Sequence, residues 1–271
     1  MKTKEQILVS FKKANKVRRL SIAKKAGYAT AESYMDYLQG KIAVNTSVNV
    51  SEAVPGTYIK GEDVVKPTIH IVNILDASDS MSGTKFNNAL SGINSEFSEM
   101  KQDTQVTYLG TLITFSYSSD IEIDLFKRNV NEIIPIKSRT RGMTALYDAI
   151  GVTLSKVKEA QGKDEKVLVN IFTDGQENDS RKWTAKTTQK LIKECEALGF
   201  TITFVGTSGD VAKMKVALSI DDSNTLVHNN TGAGVAESFR TRSAATKAYS
   251  KKVLNNEEVL TGFYKQTNQT L

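Results

Sequence analysis

The segment ILDASDSMSG, residues 74–83, places Asp76, Ser78 and Ser80 two residues apart, where an apolar run ends and a helical pattern begins near Thr84. A loop can turn one carboxylate and two hydroxyls at that spacing toward a common point. All three are small oxygen donors and two are neutral, which suits a hard cation that keeps water or an outside ligand in its shell. That chemistry favours Mg2+ or Mn2+ over Zn2+. Other chemistry-bearing residues are sparse. Cys195 is the sole cysteine, so no internal disulfide can form, and within LIKECEALG it reads as a buried structural thiol on a helix. His70 and His228 lie far apart in apolar, strand-like runs and read as core or strand-end residues rather than as a metal pair.

Such donors work only if a rigid frame holds their loop. From about Lys66 the apolar runs TIHIVNILD, VTYLGTLITF, IEIDLF, KVLVNIFTD, TITFVGT and TLVHN alternate with helical patterns. Those patterns are KFNNALSGINSEFSEMKQ, TALYDAIGVTLSKVKEAQ, AKTTQKLIKECEALG, AKMKVALS and a longer one near VAESFRTRSAATKAYSKKV. Strands separated by helices need crossover connections, and hence a parallel sheet covered on both faces. IEIDLF follows VTYLGTLITF too closely for a helix and is expected to return as a hairpin. The expected fold is α/β, a doubly wound, mostly parallel sheet with one antiparallel edge strand. Ligands of such sheets bind at the carboxyl ends of the strands, which is where Asp76 falls. Residues 1–41 read as a small basic helical unit with stops at Gly27 and Gly40, and 42–65 as a strand and a linker carrying Pro55, Gly56 and Gly61. Residues 66–248 form the α/β domain, and 249–271 a C-terminal helix and tail.

D-x-S-x-S followed by Met81-Ser82-Gly83 at the end of the first strand resembles the metal-ion-dependent adhesion site of von Willebrand factor A domains. The resemblance extends over roughly residues 66 to 245 and says nothing about residues 1–65. It implies a threonine in a later loop that opens a helix, which RGMTALYDAI supplies as Thr144. It also implies an aspartate ending the central strand, supplied as Asp174 in VLVNIFTDGQEN. On this resemblance Ser78 and Ser80 ligate Mg2+ or Mn2+ directly, Thr144 does so directly or through water, and Asp76 and Asp174 act mainly through water and hydrogen bonds. Neutral direct ligands leave much of the cation's charge unquenched, so a partner protein presenting Asp or Glu can complete the shell. Gly83 and Thr84 stand where integrin-type sites continue with acidic residues, so no adjacent calcium site is expected. Ser82 or Thr84 is placed to cap the following helix. Asp148 reads as a helix-surface residue, Tyr147 as core, and Glu177 and Asp179 as loop decoration. Gly142 and Gly175 read as backbone turns.

Two readings from other classes start from the same residues. Phosphatases of the haloacid dehalogenase type carry a second aspartate two residues after the first, as proton donor. Here that position is Ser78, and no Ser/His or Cys/His arrangement offers another mechanism, so the expectation is a binder rather than an enzyme. The chain's net charge of +6 suggests nucleic acid until it is located. Residues 1–41 hold ten Lys or Arg against three Asp or Glu, whereas the remainder holds 26 against 27. Within the basic segment, IAKKAGYATAESYMDYL partly resembles a helix-turn-helix, but Ser33 takes the place of a buried aliphatic residue and Glu32 and Asp36 would face phosphates. DNA binding through residues 1–41 is thus an alternative to a protein-docking or merely solvated basic face. No stretch reaches the roughly 18 apolar residues a membrane helix needs, and charged residues stand where a signal peptide is apolar; the expected compartment is the cytoplasm.

Overall fold

The computed structural model describes residues 66–265, and the basic helices, strand and linker expected before residue 66 lie outside the described residues. The first apolar run is strand β1, Thr68–Asp76, followed by helix α1, Thr84–Met100. Strands β2, Thr107–Phe115, and β3, Ile121–Asn129, then form the antiparallel hairpin that their short spacing requires. Helix α2, Leu146–Ala160, leads to β4, Lys166–Phe172; helix α3, Ala185–Ala197, leads to β5, Phe200–Gly206. Helix α4, Ser208–Leu218, a short β6, Thr225–Val227, and helix α5, Gly232–Leu254, complete the domain.

The sheet order is β3-β2-β1-β4-β5-β6, with every neighbouring pair parallel except β2 and β3. This is the doubly wound mixed sheet that the alternation of patterns predicts. β1 has its last eight residues buried because it lies at the centre with helices on both faces. Its side chains alternate between two cores. Ile69, Ile71 and Leu75 pack toward α1 and α5, whereas Val72 and Ile74 pack with Ala149, Ile150 and Leu154 of α2 and Ile192 of α3.

Across residue 248, where the sequence pattern suggests that the domain ends, α5 runs unbroken to Leu254. Val259, Phe263 and Tyr264 beyond it are buried in the same core as α1, so the segment after 248 belongs to the domain as far as residue 265. The two helices on that face share a buried ion pair that composition gives no hint of. Glu96 of α1 meets Arg242 of α5, and Thr246 donates a 2.8 Å hydrogen bond to the same carboxylate. Both charged side chains are about as buried as the aliphatic core, so each compensates the cost of taking the other out of water. Among the described residues no helix is long and apolar enough to cross a membrane.

Candidate metal centre

The order in which strands are added reverses between β1 and β4, because the chain builds outward from β1 to β3 and then returns to the other side of β1. In an open parallel sheet this switch point leaves a crevice beyond the carboxyl ends of the two central strands. Asp76 ends β1, and Thr173 and Asp174 follow β4, so the topology brings residues nearly a hundred positions apart to the same edge.

Asp76 is fully buried. Its Oδ1 accepts from the backbone N–H of Ser78 at 2.7 Å, the side-chain-to-backbone turn that short Asp residues favour, which folds the loop back over the strand end. Its Oδ2 accepts from the Thr173 hydroxyl at 2.5 Å. Burial pushes the Asp76 carboxyl up to about 6 from an ordinary 3.8, because the hydrogen bonds from Thr173 and Ser78 offset only part of the desolvation and Asp174 adds repulsion. From Asp76 the oxygens form a chain: Ser78 Oγ lies 2.9 Å from Ser80 Oγ, which donates to Asp174 Oδ1 at 2.7 Å.

Thr144 joins this cluster from a third loop. The loop docks on the first by three backbone-anchored bonds: Asp79 N to Gly142 O at 2.8 Å, Gly142 N to Asp79 Oδ1 at 3.0 Å, and Arg141 N to Ala77 O at 2.6 Å. Gly142 has φ of 64°, and the ring of Tyr117 covers it so closely that a side chain there would collide. Thr144 is tied to the loop after β4 by a reciprocal pair, its N–H to Asn178 Oδ1 at 2.9 Å and the Asn178 N–H to its carbonyl at 3.0 Å. Where the three loops meet, the backbone of Gly175 approaches the donors. A Cβ at Gly175 would lie 3.1 Å from Thr144 Oγ1, 3.3 Å from Ser80 Oγ and 3.6 Å from Asp76 Oδ2. Gly175 therefore serves close approach rather than a positive-φ turn.

Asp76, Ser78, Ser80, Thr144 and Asp174 thus share one cluster of oxygen atoms. An octahedral Mg2+ with bonds of 2.0–2.1 Å sets adjacent ligand oxygens about 2.9 Å apart, the scale of the Ser78–Ser80 and Ser80–Asp174 spacings. The donor set fits a hard cation. Among the described residues no three His, Cys, Asp or Glu side chains gather as a metal cage, so neutral hydroxyls are indispensable to any cation bound here.

Several residues of the site escape a reading of the sequence. Thr173 and Asn178 act through contacts 97 and 34 residues away, and only the TDG context hints at the first. Lys85, in the first turn of α1, pairs its ammonium with Asp174 Oδ2 and donates to Asn230 Oδ1 at 2.9 Å. The expected helix-surface place of Asp148 is incorrect: it is fully buried, accepting from the N–H groups of Arg181, Lys182 and Trp183 and from the Ser118 hydroxyl. Those bonds fasten the loop after β4 and hold the Asp148 carboxyl below its usual range despite its desolvation. Glu177 is likewise structural, accepting from Tyr147 N, Asp179 N and Ser180 N. Nor do Ser82 or Thr84 cap α1. The cap position is Gly83, with no side-chain bond, and Ser82 instead pairs with Thr140 at 3.1 Å. His70 is a core residue between Glu165 and Thr111, His228 stacks on Phe172 and holds the Asn229 carbonyl with Nδ1 at 2.8 Å, and burial raises the Cys195 thiol to about 11.

The model of the von Willebrand factor type A domain matches residues 70–242, and the chain belongs to that family. No curated protein matches it. Among solved structures, the ArnB paralog VWA2 from Sulfolobus acidocaldarius is 24% identical over 66% of this chain and 45% of its own, with a TM-score of 0.46. The pilus adhesin SpaC from Lactobacillus rhamnosus GG is 12% identical over 68% of this chain and 31% of its own, with a TM-score of 0.54. Proximal thread matrix protein 1 from the mussel byssus, solved with a zinc-occupied MIDAS motif, is 13% identical over 65% and 44%, with a TM-score of 0.49. This chain spans less than half the length of each, and at such identities the likeness is one of fold.

Proposed function

We propose that this chain is a metal-dependent protein-binding module, in which a bound Mg2+ or Mn2+ is completed by an Asp or Glu side chain of a partner protein. The observation that carries the reading is the meeting of Ser78, Ser80, Thr144 and two carboxylates from three loops around Gly175. Ser78 and Ser80 would hold the cation directly and Thr144 directly or through water, with Asp76 and Asp174 acting mainly through water and hydrogen bonds. The cation supplies Lewis acidity toward an incoming carboxylate. The protein's part is to keep the donors neutral where they touch the cation and charged only one step away. Asp76 is already bonded to Thr173 and Ser78, and Asp174 to Ser80 and Lys85, so both carboxylates are held by the fold.

Turnover is not part of this reading. Ser78, two residues after Asp76, offers no proton of useful acidity to a leaving group, and its hydroxyl is committed to Ser80. The test is capture of binding proteins from the source cell by the immobilised full chain, in Mg2+ and in chelator, with a Ser78→Ala/Ser80→Ala chain alongside. Proteins retained in Mg2+, released by chelator and absent from the double variant are expected. Equal capture under all three conditions overturns the proposal.

A further inference from the structure

The first turn of α1 is a poor place for a cation, because the helix dipole presents its positive end there. No acidic residue shares that turn, yet Lys85 occupies its second position. Its side chain is only 17% exposed, and its ammonium is paired with Asp174, whose side chain is fully buried. The two carboxylate oxygens of Asp174 have separate partners: Oδ1 takes the Ser80 hydroxyl, and Oδ2 takes Lys85, which is steadied from the other side by Asn230. A residue placed against local helix preference and drawn into the site marks a function that overrides local stability.

We infer that Lys85 is a positioning residue that holds Asp174 Oδ2 away from the cation and lowers the affinity of the site for metal until an outside carboxylate arrives. This rests on the metal-dependent reading above. Asp76 and Asp174 together balance a divalent cation; the ammonium of Lys85 beside them leaves the loaded site with one surplus positive charge. A partner's carboxylate neutralises that surplus. Without Lys85 the empty site is a dianion with no counter-charge, which binds Mg2+ more tightly and gains less from a partner. A purely structural role for Lys85 predicts the opposite sign, because loosening Asp174 would weaken the metal.

The experiment is calorimetric titration of Mg2+ alone into the full chain, its Lys85→Met variant and its Lys85→Arg variant, with circular dichroism to establish that each is folded. Lys85→Met is expected to bind Mg2+ on the order of tenfold more tightly, the scale of one nearby charge acting through a site partly open to water. Lys85→Arg, which keeps the charge, stays within about threefold of the parent on the same reasoning. As a second readout, Mg2+ should raise the melting temperature of Lys85→Met more than that of the parent, because the variant loses the counter-charge of Asp174 when metal-free. Equal or weaker Mg2+ affinity in a folded Lys85→Met chain overturns the inference while leaving the metal site standing. Absence of Mg2+ binding by parent and variants overturns both.

Discussion

Replacing Gly175 with alanine tests the geometry of the site without removing any ligand. The backbone of Gly175 lies outside the positive-φ region, so alanine suits its conformation and the fold should tolerate it. The added methyl, however, would stand 3.1 Å from Thr144 Oγ1 and 3.3 Å from Ser80 Oγ, closer than an ordinary van der Waals contact, with Asp76 Oδ2 at 3.6 Å. Each hydroxyl must then yield by a few tenths of an ångström. Mg2+ tolerates little of that, since it demands near-ideal octahedral geometry at about 2.0–2.1 Å. Losing one good ligand contact is worth at least about 1.4 kcal/mol, a factor of roughly ten in affinity. Chemical denaturation should show a stability change within about 0.5 kcal/mol of the parent, as for a partly exposed loop position. Calorimetry should show Mg2+ binding at least about tenfold weaker, by the same conversion. A Gly175→Ala chain that is stable and binds Mg2+ like the parent would refute the idea that the cation sits among Thr144, Ser80 and Asp76.

Four further outcomes are expected. Ser78→Ala with Ser80→Ala should abolish Mg2+ binding and leave the circular dichroism spectrum unchanged, whereas Thr144→Ala should weaken partner capture more than it weakens Mg2+ binding in calorimetry. The Asp76 carboxyl, held at about 6 instead of 3.8, makes the metal-free fold favour the protonated acid: its contribution to stability is largest below pH 3.8 and declines as pH rises through 6. Metal binding needs the ionised form and runs the other way, so the Mg2+-induced rise in melting temperature should be larger at about pH 7.5 than at about pH 5, and an equal rise at both would contradict the role of Asp76. Finally, Glu96→Ala or Arg242→Ala strands the opposite charge between α1 and α5, and urea denaturation should report a loss of about 3–5 kcal/mol; a loss below about 1 kcal/mol would mean that the pair is not buried in solution.

Much of this molecule follows from patterns that act over a few residues. Largely apolar runs bounded by helical periodicity imply a parallel sheet, because strands covered on both faces are buried almost from end to end, as in β1, β4 and β5. The spacing between Phe115 and Ile121 leaves room for a turn and nothing longer, so the antiparallel edge is equally local. Asp76, Ser78 and Ser80 are legible for the same reason, since one short loop carries all three. Thr144 and Asp174 are legible only by resemblance, because nothing in their own neighbourhoods says that they meet the first loop.

What the tertiary structure alone decides is which charges become partners. Lys85 has the sequence setting of a solvated helix residue, and Asp148 that of a helix surface, yet the first reaches Asp174 and the second anchors residues 181–183. Glu96 and Arg242, 146 positions apart, look like two exposed residues of amphipathic helices until α1 and α5 pack face to face. Periodicity reports whether a position is apolar, and it is silent about a polar residue that is buried because a distant partner compensates its desolvation. That compensation is a pairwise energy between residues remote in sequence, and it exists only once the sheet has brought them within hydrogen-bonding distance.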